Sequence, residues 1–328
     1  MQLINEFNYL LNSFNIKATC VSYNNIGNYS YYDIKLHNSA RVKDIQKYSD
    51  ELSLALKMPC RPTIKLLHSS GVVRVEFILP RKANLELLDY MSNNNIPRGN
   101  INCLLGQAVD GNELWMDLSA NPNLIISGTT GSGKSVLLHN IIANLYNYND
   151  VDLFLVDPKN IEFIAYKNSM RNTAVMFSYH DALIMLNDII SLMESRYNQI
   201  RDGHAVSFKD TVIIIDEFAD LIMQDKNDNF YKNLCLLSQK CRAAQIYIIL
   251  ATQRPSVNII NGSIKSNFPA RIACRVASHT DSKVILDATG AEDLLGNGDA
   301  LIKDNFRNLE RFQIAYINSK DIYNIFKN

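Results

Sequence analysis

Apolar positions recur at helical spacing over residues 6–14, where Phe7, Leu10, Leu11 and Phe14 share a face. They alternate with polar ones over 31–36 and return to the helical period over 42–56. Residues 63–67 and 72–79 predict a hairpin across His68-Ser69-Ser70-Gly71, with Pro80 ending the second strand, and 93–99 is a loop by composition. Near residue 105 the pattern changes. Residues 124–126, 152–156, 173–177, 211–215 and 246–250 are short uninterrupted apolar runs, as in strands buried on both faces. Helical patterns lie between them, most clearly over 181–201, where Leu183, Leu186, Ile190, Met193, Tyr197 and Ile200 recur at three- and four-residue steps. That stripe is expected to pack on the sheet rather than bind a partner. Strands and helices in alternation predict an α/β fold with a mostly parallel sheet. The expected division is a small α+β domain over 1–105 and a larger domain over 106–328.

Composition narrows the function. Of 328 residues, 47% are hydrophobic and 20% charged, with 33 Lys+Arg against 33 Asp+Glu. This excludes charge-driven disorder and a globally basic coat for nucleic acid, so any polyanion site has to be local. The apolar runs at 246–251 and 212–215 are far shorter than the ~18–20 residues that cross a bilayer, and no basic region followed by an apolar stretch opens the chain. A cytoplasmic chain without a membrane segment is expected. The cysteines at 20, 60, 103, 235, 241 and 274 form no C-x-x-C pair and have no His at ligand spacing. They read as small buried apolar groups rather than metal ligands or disulfides.

The segment Gly128-Thr129-Thr130-Gly131-Ser132-Gly133-Lys134-Ser135 fits G-x-x-x-x-G-K-[ST], follows the strand at 124–126 and opens a helical stretch at 136–146. In such a loop glycines let successive N–H groups face a phosphate, and the helix N-terminus adds partial positive charge. Lys134 would reach the β and γ phosphates, and Ser135 would bind Mg²⁺. All eight residues are candidates for nucleotide contact. After the strand 212–215, Asp216 and Glu217 place two carboxylates at the mouth of a parallel sheet, a Walker B arrangement. There Asp216 would hold Mg²⁺ through water and Glu217 would polarise the attacking water. Alone, an Asp-Glu pair after a strand is equally a helix N-cap; the phosphate loop decides for the metal. Gln253, in Ala251-Thr252-Gln253-Arg254-Pro255, puts an amide where a γ-phosphate would lie and is a candidate sensor of the nucleotide, although the tetrapeptide alone is an ordinary loop start.

Further blocks follow in order: Val156-Asp157-Pro158-Lys159, Ile215-Asp216-Glu217-Phe218-Ala219-Asp220-Leu221, Cys241-Arg242-Ala243-Ala244 and Ala251-Thr252-Gln253-Arg254-Pro255-Ser256-Val257. The Asp281-Ser282 pair with Ile285-Leu286-Asp287, and Gly290-Ala291-Glu292-Asp293-Leu294-Leu295-Gly296-Asn297-Gly298-Asp299, complete the set. Together with the phosphate loop they resemble the FtsK/SpoIIIE-type double-stranded DNA translocases of the FtsK/HerA group of phosphate-loop motors, over roughly residues 30–318. The resemblance implies a RecA-like P-loop NTPase core preceded by a smaller α+β domain, ATP and Mg²⁺ as cofactors, and a homo-hexameric ring around duplex DNA with each nucleotide between neighbouring subunits. It makes Arg242 an arginine finger reaching a neighbour's γ-phosphate, where the helix alone would read as carrying a surface arginine. It places DNA contacts at Arg254, Lys265 and Lys283. His279 stands where a lysine is common in the family, so the contact there is expected to be weaker or pH dependent.

The expected activity is ATP hydrolysis coupled to translocation of double-stranded DNA. The membrane helices, linker and winged-helix domain usual in the family are absent from the sequence, so the expectation is a stand-alone motor of a phage or other mobile element, with a separate loading or recruiting protein. Viral DNA packaging is a variant of this reading. The alternatives are a secretion or conjugation coupling ATPase moving a protein substrate, and a DNA-binding scaffold that does not move.

Overall fold

A computed structural model of the chain describes residues 2–26, 29–37, 40–58, 60–67, 70–78, 86–92, 101–148, 150–167, 172–203 and 207–327. The loop read at 93–99, residues 68 and 69 of the hairpin turn, Leu79 and Pro80 lie outside the described residues. The chain forms two compact units. One comprises Met1–Asn84, Gln107–Asn112 and Asp293–Leu295, and the other Leu85–Gly106, Glu113–Glu292 and Gly296–Asn328. Against the division expected at residue 105, residues 85–105 fall with the larger unit, and Gln107–Asn112 and Asp293–Leu295 with the smaller one.

In the smaller unit β1 (Ala18–Ile26), β2 (Tyr29–Leu36), β3 (Thr63–Leu67) and β4 (Val72–Ile78) form an antiparallel sheet in the order β1-β2-β4-β3. Helix α1 (Gln2–Ser13) buries Phe7 and Leu11 with Tyr32, Ile34, Val75 and Phe77, and the Phe7 and Tyr32 rings stack at 4.2 Å. Strand β1 has no counterpart in the hydrophobic pattern, because its Ser22, Asn24 and Asn25 interrupt the apolar alternation and its register shifts between Cys20 and Ser22. The helix read over 42–56 is two, α2 (Val42–Lys47) and α3 (Ser49–Ala55), broken where Tyr48 leaves helical geometry at φ −102°, ψ 22°.

The larger unit contains β5 (Asn102–Ala108), β6 (Glu113–Asp117), β7 (Asn123–Ser127), β8 (Val151–Val156), β9 (Thr173–Met176), β10 (Asp210–Ile215), β11 (Ile246–Thr252), β12 (Ala270–Cys274), β13 (Asp299–Lys303) and β14 (Glu310–Ile314). They form one sheet in the order β6-β5-β14-β13-β12-β7-β11-β10-β8-β9. From β12 to β9 every pairing is parallel, whereas β12, β13 and β14 pair antiparallel. Its helices are α4 (Leu87–Ser92), α5 (Lys134–Tyr146), α6 (Tyr179–Arg201), α7 (Phe218–Gln224), α8 (Asn229–Lys240), α9 (Gly262–Asn267), α10 (His279–Leu286) and α11 (Ser319–Lys327). The fold is a mixed α/β, RecA-like one with a large, mostly parallel sheet.

Two local packings differ from the pattern. Helix α6 buries Ala182, Met185, Leu186, Ile189, Met193 and Arg196, so the face expected from Leu183, Ile190, Tyr197 and Ile200 is turned part-way out, and Ile200 is exposed. Arg196 lies on the buried face. Its guanidinium donates to the carbonyls of Ala244 (2.5 Å) and Lys209 (2.7 Å) and to Thr211 Oγ1 (3.1 Å), which satisfies a charge that would otherwise be costly to bury. Helix α5 is held by amides: Asn144 Oδ1 accepts from the Leu104 N–H (2.9 Å), and Asn140 Nδ2 donates to the Ala315 carbonyl (3.1 Å). Cys235 and Cys60 are only half-buried, against the expectation for a buried set.

Candidate active site

In the sheet β11 separates β7 from β10, so the phosphate loop, Gln253 and the Asp216-Glu217 pair leave the C-terminal ends of three adjacent parallel strands. Ligands of open α/β sheets bind at that edge. Gly131 (φ +76°) and Gly133 (φ +109°) take left-handed backbone that turns the chain into α5, and a Cβ on Gly133 would stand 2.6 Å from the Cα of Gly298. The loop is tied at both flanks. Thr129 donates to the Arg275 carbonyl through its N–H (2.9 Å) and its Oγ1 (3.1 Å). The N–H groups of Asn297 and Gly298 donate to the carbonyls of Gly131 (3.2 Å) and Ser132 (2.9 Å). Protein donors thus take up loop carbonyls, and the start of α5 supplies the N–H groups and dipole that suit a phosphate.

Lys134, 3% exposed, donates to the Asp216 carboxylate and to its backbone carbonyl (3.3 Å). Burial pushes the Asp216 carboxyl above the ordinary aspartate value, and the charges of Glu162 and Asp157 add to this, against the opposing pull of the Lys134 ammonium. Glu217 is equally buried. Its Oε1 accepts from Thr252 Oγ1 (2.5 Å), its Oε2 from the Gln253 N–H (3.0 Å), and Lys159 Nζ stands 3.3 Å from Oε2. Thr130 Oγ1 donates to Gln253 Oε1 (3.3 Å), which ties the candidate sensor to the phosphate loop. Ser135 Oγ donates to Glu162 Oε1 at 2.7 Å.

For Mg²⁺ the donor chemistry fits: a hydroxyl and carboxylates, hard oxygens, at the first turn of a phosphate-binding helix. Among the described residues no group of three or more His, Cys, Asp or Glu side chains could hold a metal alone. Magnesium is characteristically held by one or two carboxylates together with substrate phosphates rather than by an all-protein cage.

Thus Lys134, Ser135, Asp216, Glu217 and Gln253 come together at one edge of the sheet. Arg242 does not join them. It lies in the 3₁₀ turn Cys241–Ala244 before β11, exposed beside Asp210 and Tyr247 on a cleft of about 440 Å³. β11 runs seven residues from that edge to Thr252, about 20 Å at strand rise. Of the expected DNA contacts, Arg254 follows β11 and is exposed, and Lys283 is exposed on α10. Lys265 Nζ stands 2.8 Å from Asp287 Oδ1, and the same carboxylate binds Arg271, so its charge is largely engaged. His279 is 67% exposed, its Nε2 3.3 Å from Glu292. Lys159, Thr252, Glu162 and His139 were not among the residues singled out from the sequence. Lys159 stood in a recognised block, and Glu162 lies three residues after it.

The sequence profile of the FtsK/SpoIIIE family matches residues 90–210 and 206–257. The chain belongs to the FtsK/SpoIIIE family. It is 34% identical over 331 residues to the "DNA translocase FtsK" of Chlamydia muridarum, across 90% of this chain and 41% of that protein. It is 33% identical over 341 residues to that of Streptococcus pneumoniae, across 95% and 44%. The chain therefore spans less than half the length of these relatives. Among solved structures, the pCW3 conjugation coupling protein TcpA, in its monomer form with ATPγS, superposes with a TM-score of 0.70 at 20% identity, covering 100% of this chain and 99% of that one. The cytoplasmic domain of the Thermomonospora curvata type VII secretion ATPase EccC gives 0.60 at 20%, covering 74% and 34%. These likenesses establish the fold. The FtsK/SpoIIIE chain carries its phosphate loop on this α/β fold, and no helix among its described residues is long and apolar enough to cross a membrane.

Proposed function

We propose that this FtsK/SpoIIIE chain is an ATP-driven translocase of double-stranded DNA that works as a ring of six copies. The observation that carries the reading is the separation of its catalytic groups. Lys134, Asp216, Glu217 and Gln253 meet at one edge of the sheet, while Arg242 stands exposed at the other. One chain cannot bring Arg242 to its own site without dismantling β11, whereas a neighbouring copy can present it, and relatives named DNA translocases share the chain over most of its length.

In the proposed reaction Lys134 exchanges Asp216 for the β and γ phosphates, and the loop N–H groups hold the same oxygens. Ser135 and Asp216 would hold Mg²⁺, which supplies positive charge against the phosphates when bound. Glu217, poised by Thr252 and Lys159, orients the water for in-line attack, Gln253 faces the γ-phosphate, and a neighbour's Arg242 stabilises the charge that develops. The DNA contacts are Arg254, Lys265, His279 and Lys283. Repeated around a ring, the exposed Arg254 and Lys283 give a local positive field that a net charge of zero does not preclude. A separate protein would load the ring.

Mixing subunits tests the shared site. Lys134→Ala and Arg242→Ala are each expected to be inactive, and the mixture to regain turnover, since some interfaces then combine an intact Lys134 with an intact Arg242. A mixture no more active than its parts would refute sharing. Turnover stimulated by a protein partner and by no DNA would instead favour a secretion or conjugation coupling ATPase.

A further inference from the structure

The hydroxyl that presents itself to a metal needs somewhere to put its proton. A serine oxygen that ligates Mg²⁺ does so through a lone pair, so its O–H must donate elsewhere, and the acceptor decides which way the lone pair points. Here the acceptor is Glu162, whose Oε1 lies 2.7 Å from Ser135 Oγ. Its other oxygen, Oε2, lies 3.5 Å from His139 Nε2, and His139 Nδ1 is 2.7 Å from the hydroxyl of Tyr166, which is fully buried. Ser135 and His139 are four residues apart on α5 and so share a face, which means one carboxylate is gripped by two successive turns of the phosphate-binding helix.

The loop that delivers Glu162 is built for the purpose. After β8 the buried Asp157 accepts the N–H groups of Lys159 (3.1 Å), Ile161 (2.8 Å) and Phe163 (3.0 Å), winding residues 157–163 around one carboxylate. Phe163 is fully buried and anchors the far end. Glu162 is therefore presented from a fixed loop rather than from a free surface turn.

We propose that Glu162 is a positioning residue for Mg²⁺: it accepts the hydrogen bond of the Ser135 hydroxyl, turns the Ser135 oxygen to the metal, and is itself held by His139. The inference rests on the nucleotide reading of the site. It assigns Glu162 an action through Ser135, distinct from the direct roles of Lys134 and Asp216.

The test is equilibrium binding of a fluorescent ATP analogue to the full chain, first without metal and then titrated with Mg²⁺. Glu162→Ala should raise the Mg²⁺ midpoint by about 10- to 100-fold, the usual cost of losing a partner behind a metal ligand, with metal-free nucleotide affinity unchanged. Glu162→Gln, which keeps a carbonyl acceptor, should fall between it and wild type. In a Ser135→Ala background, Glu162→Ala should add nothing, because the two act as one unit. A wild-type Mg²⁺ midpoint in either single variant would overturn the proposal, as would full additivity with Ser135→Ala or an equal loss of metal-free binding. Should Glu162→Ala fail to fold, Glu162→Gln alone decides. Absence of nucleotide binding by the wild-type chain would sink the nucleotide reading itself, whereas wild-type binding with unmoved variants would remove only this role for Glu162.

Discussion

Arg311 on β14 and Asp299 on β13 are each about 1% exposed, and the guanidinium meets the carboxylate twice, at 2.9 Å and 2.7 Å. Asp299 directly follows Gly298, whose N–H holds the phosphate loop, so the pair braces that contact from behind. Removing one partner breaks a buried pair, which costs more than the pair contributes. Arg311→Met should therefore lower unfolding free energy by about 3–5 kcal/mol in urea titrations; a loss below about 1 kcal/mol would mean Asp299 is satisfied without it. Side chains of this kind were not legible in the sequence. Lys134, Asp216, Glu217 and Gln253 could be read because each sits in a motif at the end of an apolar strand. Arg311, Arg196 and Glu162 could not, since a lone charged residue reads as surface until its partners, a dozen to about fifty residues away, are folded around it.

Among the elements, α8 shows how a helix is placed by one carboxylate. Asp225 accepts the N–H groups of Asn229 (2.9 Å) and Tyr231 (2.8 Å) and the Tyr179 hydroxyl (2.7 Å), fixing the start of the helix whose far end leads into the turn carrying Arg242. Burial would raise the Asp225 carboxyl, but these donors outweigh it and hold it below the ordinary aspartate value; burial, then Asp225, push the Tyr179 hydroxyl up to about 12. Because the folded carboxyl is the stronger acid, its stabilisation is complete at neutral pH. It is lost as pH falls from the ordinary value of about 3.9 through the lower folded one. Asp225→Ala should cost about 1–3 kcal/mol at pH 7, and the gap to wild type should narrow in urea titrations taken progressively below pH 4; a gap independent of pH would contradict the assignment. Elements with an unbroken apolar run, β7, β8, β9, β10 and β11, were legible to within two residues at either end. The break at Tyr48 and strand β1 were not, because propensity does not register a helix interrupted at one residue or a strand studded with Ser and Asn. The buried face of α6 differs for a related reason: it includes Arg196, which a pattern of apolar residues leaves out.

At the scale of the molecule, the charges balance and the nucleotide groups occupy one edge of the sheet while Arg242 occupies the other. On the proposed reading such a chain has no complete catalytic site until copies assemble, and assembly is what would gather Arg254, Lys283 and their neighbours into a field strong enough for DNA. Family and α/β fold were legible because the motifs fall in a fixed order along the chain; the separation of Arg242 from the phosphate loop was not, because it depends on which end of β11 each occupies. The direct measurement is steady-state ATP hydrolysis by the purified chain at one stated salt concentration, without nucleic acid, with single strands and with long linear duplex. The account predicts marked stimulation by duplex alone, falling as salt is raised because the contacts are to phosphates. Vigorous turnover that no DNA alters would contradict it.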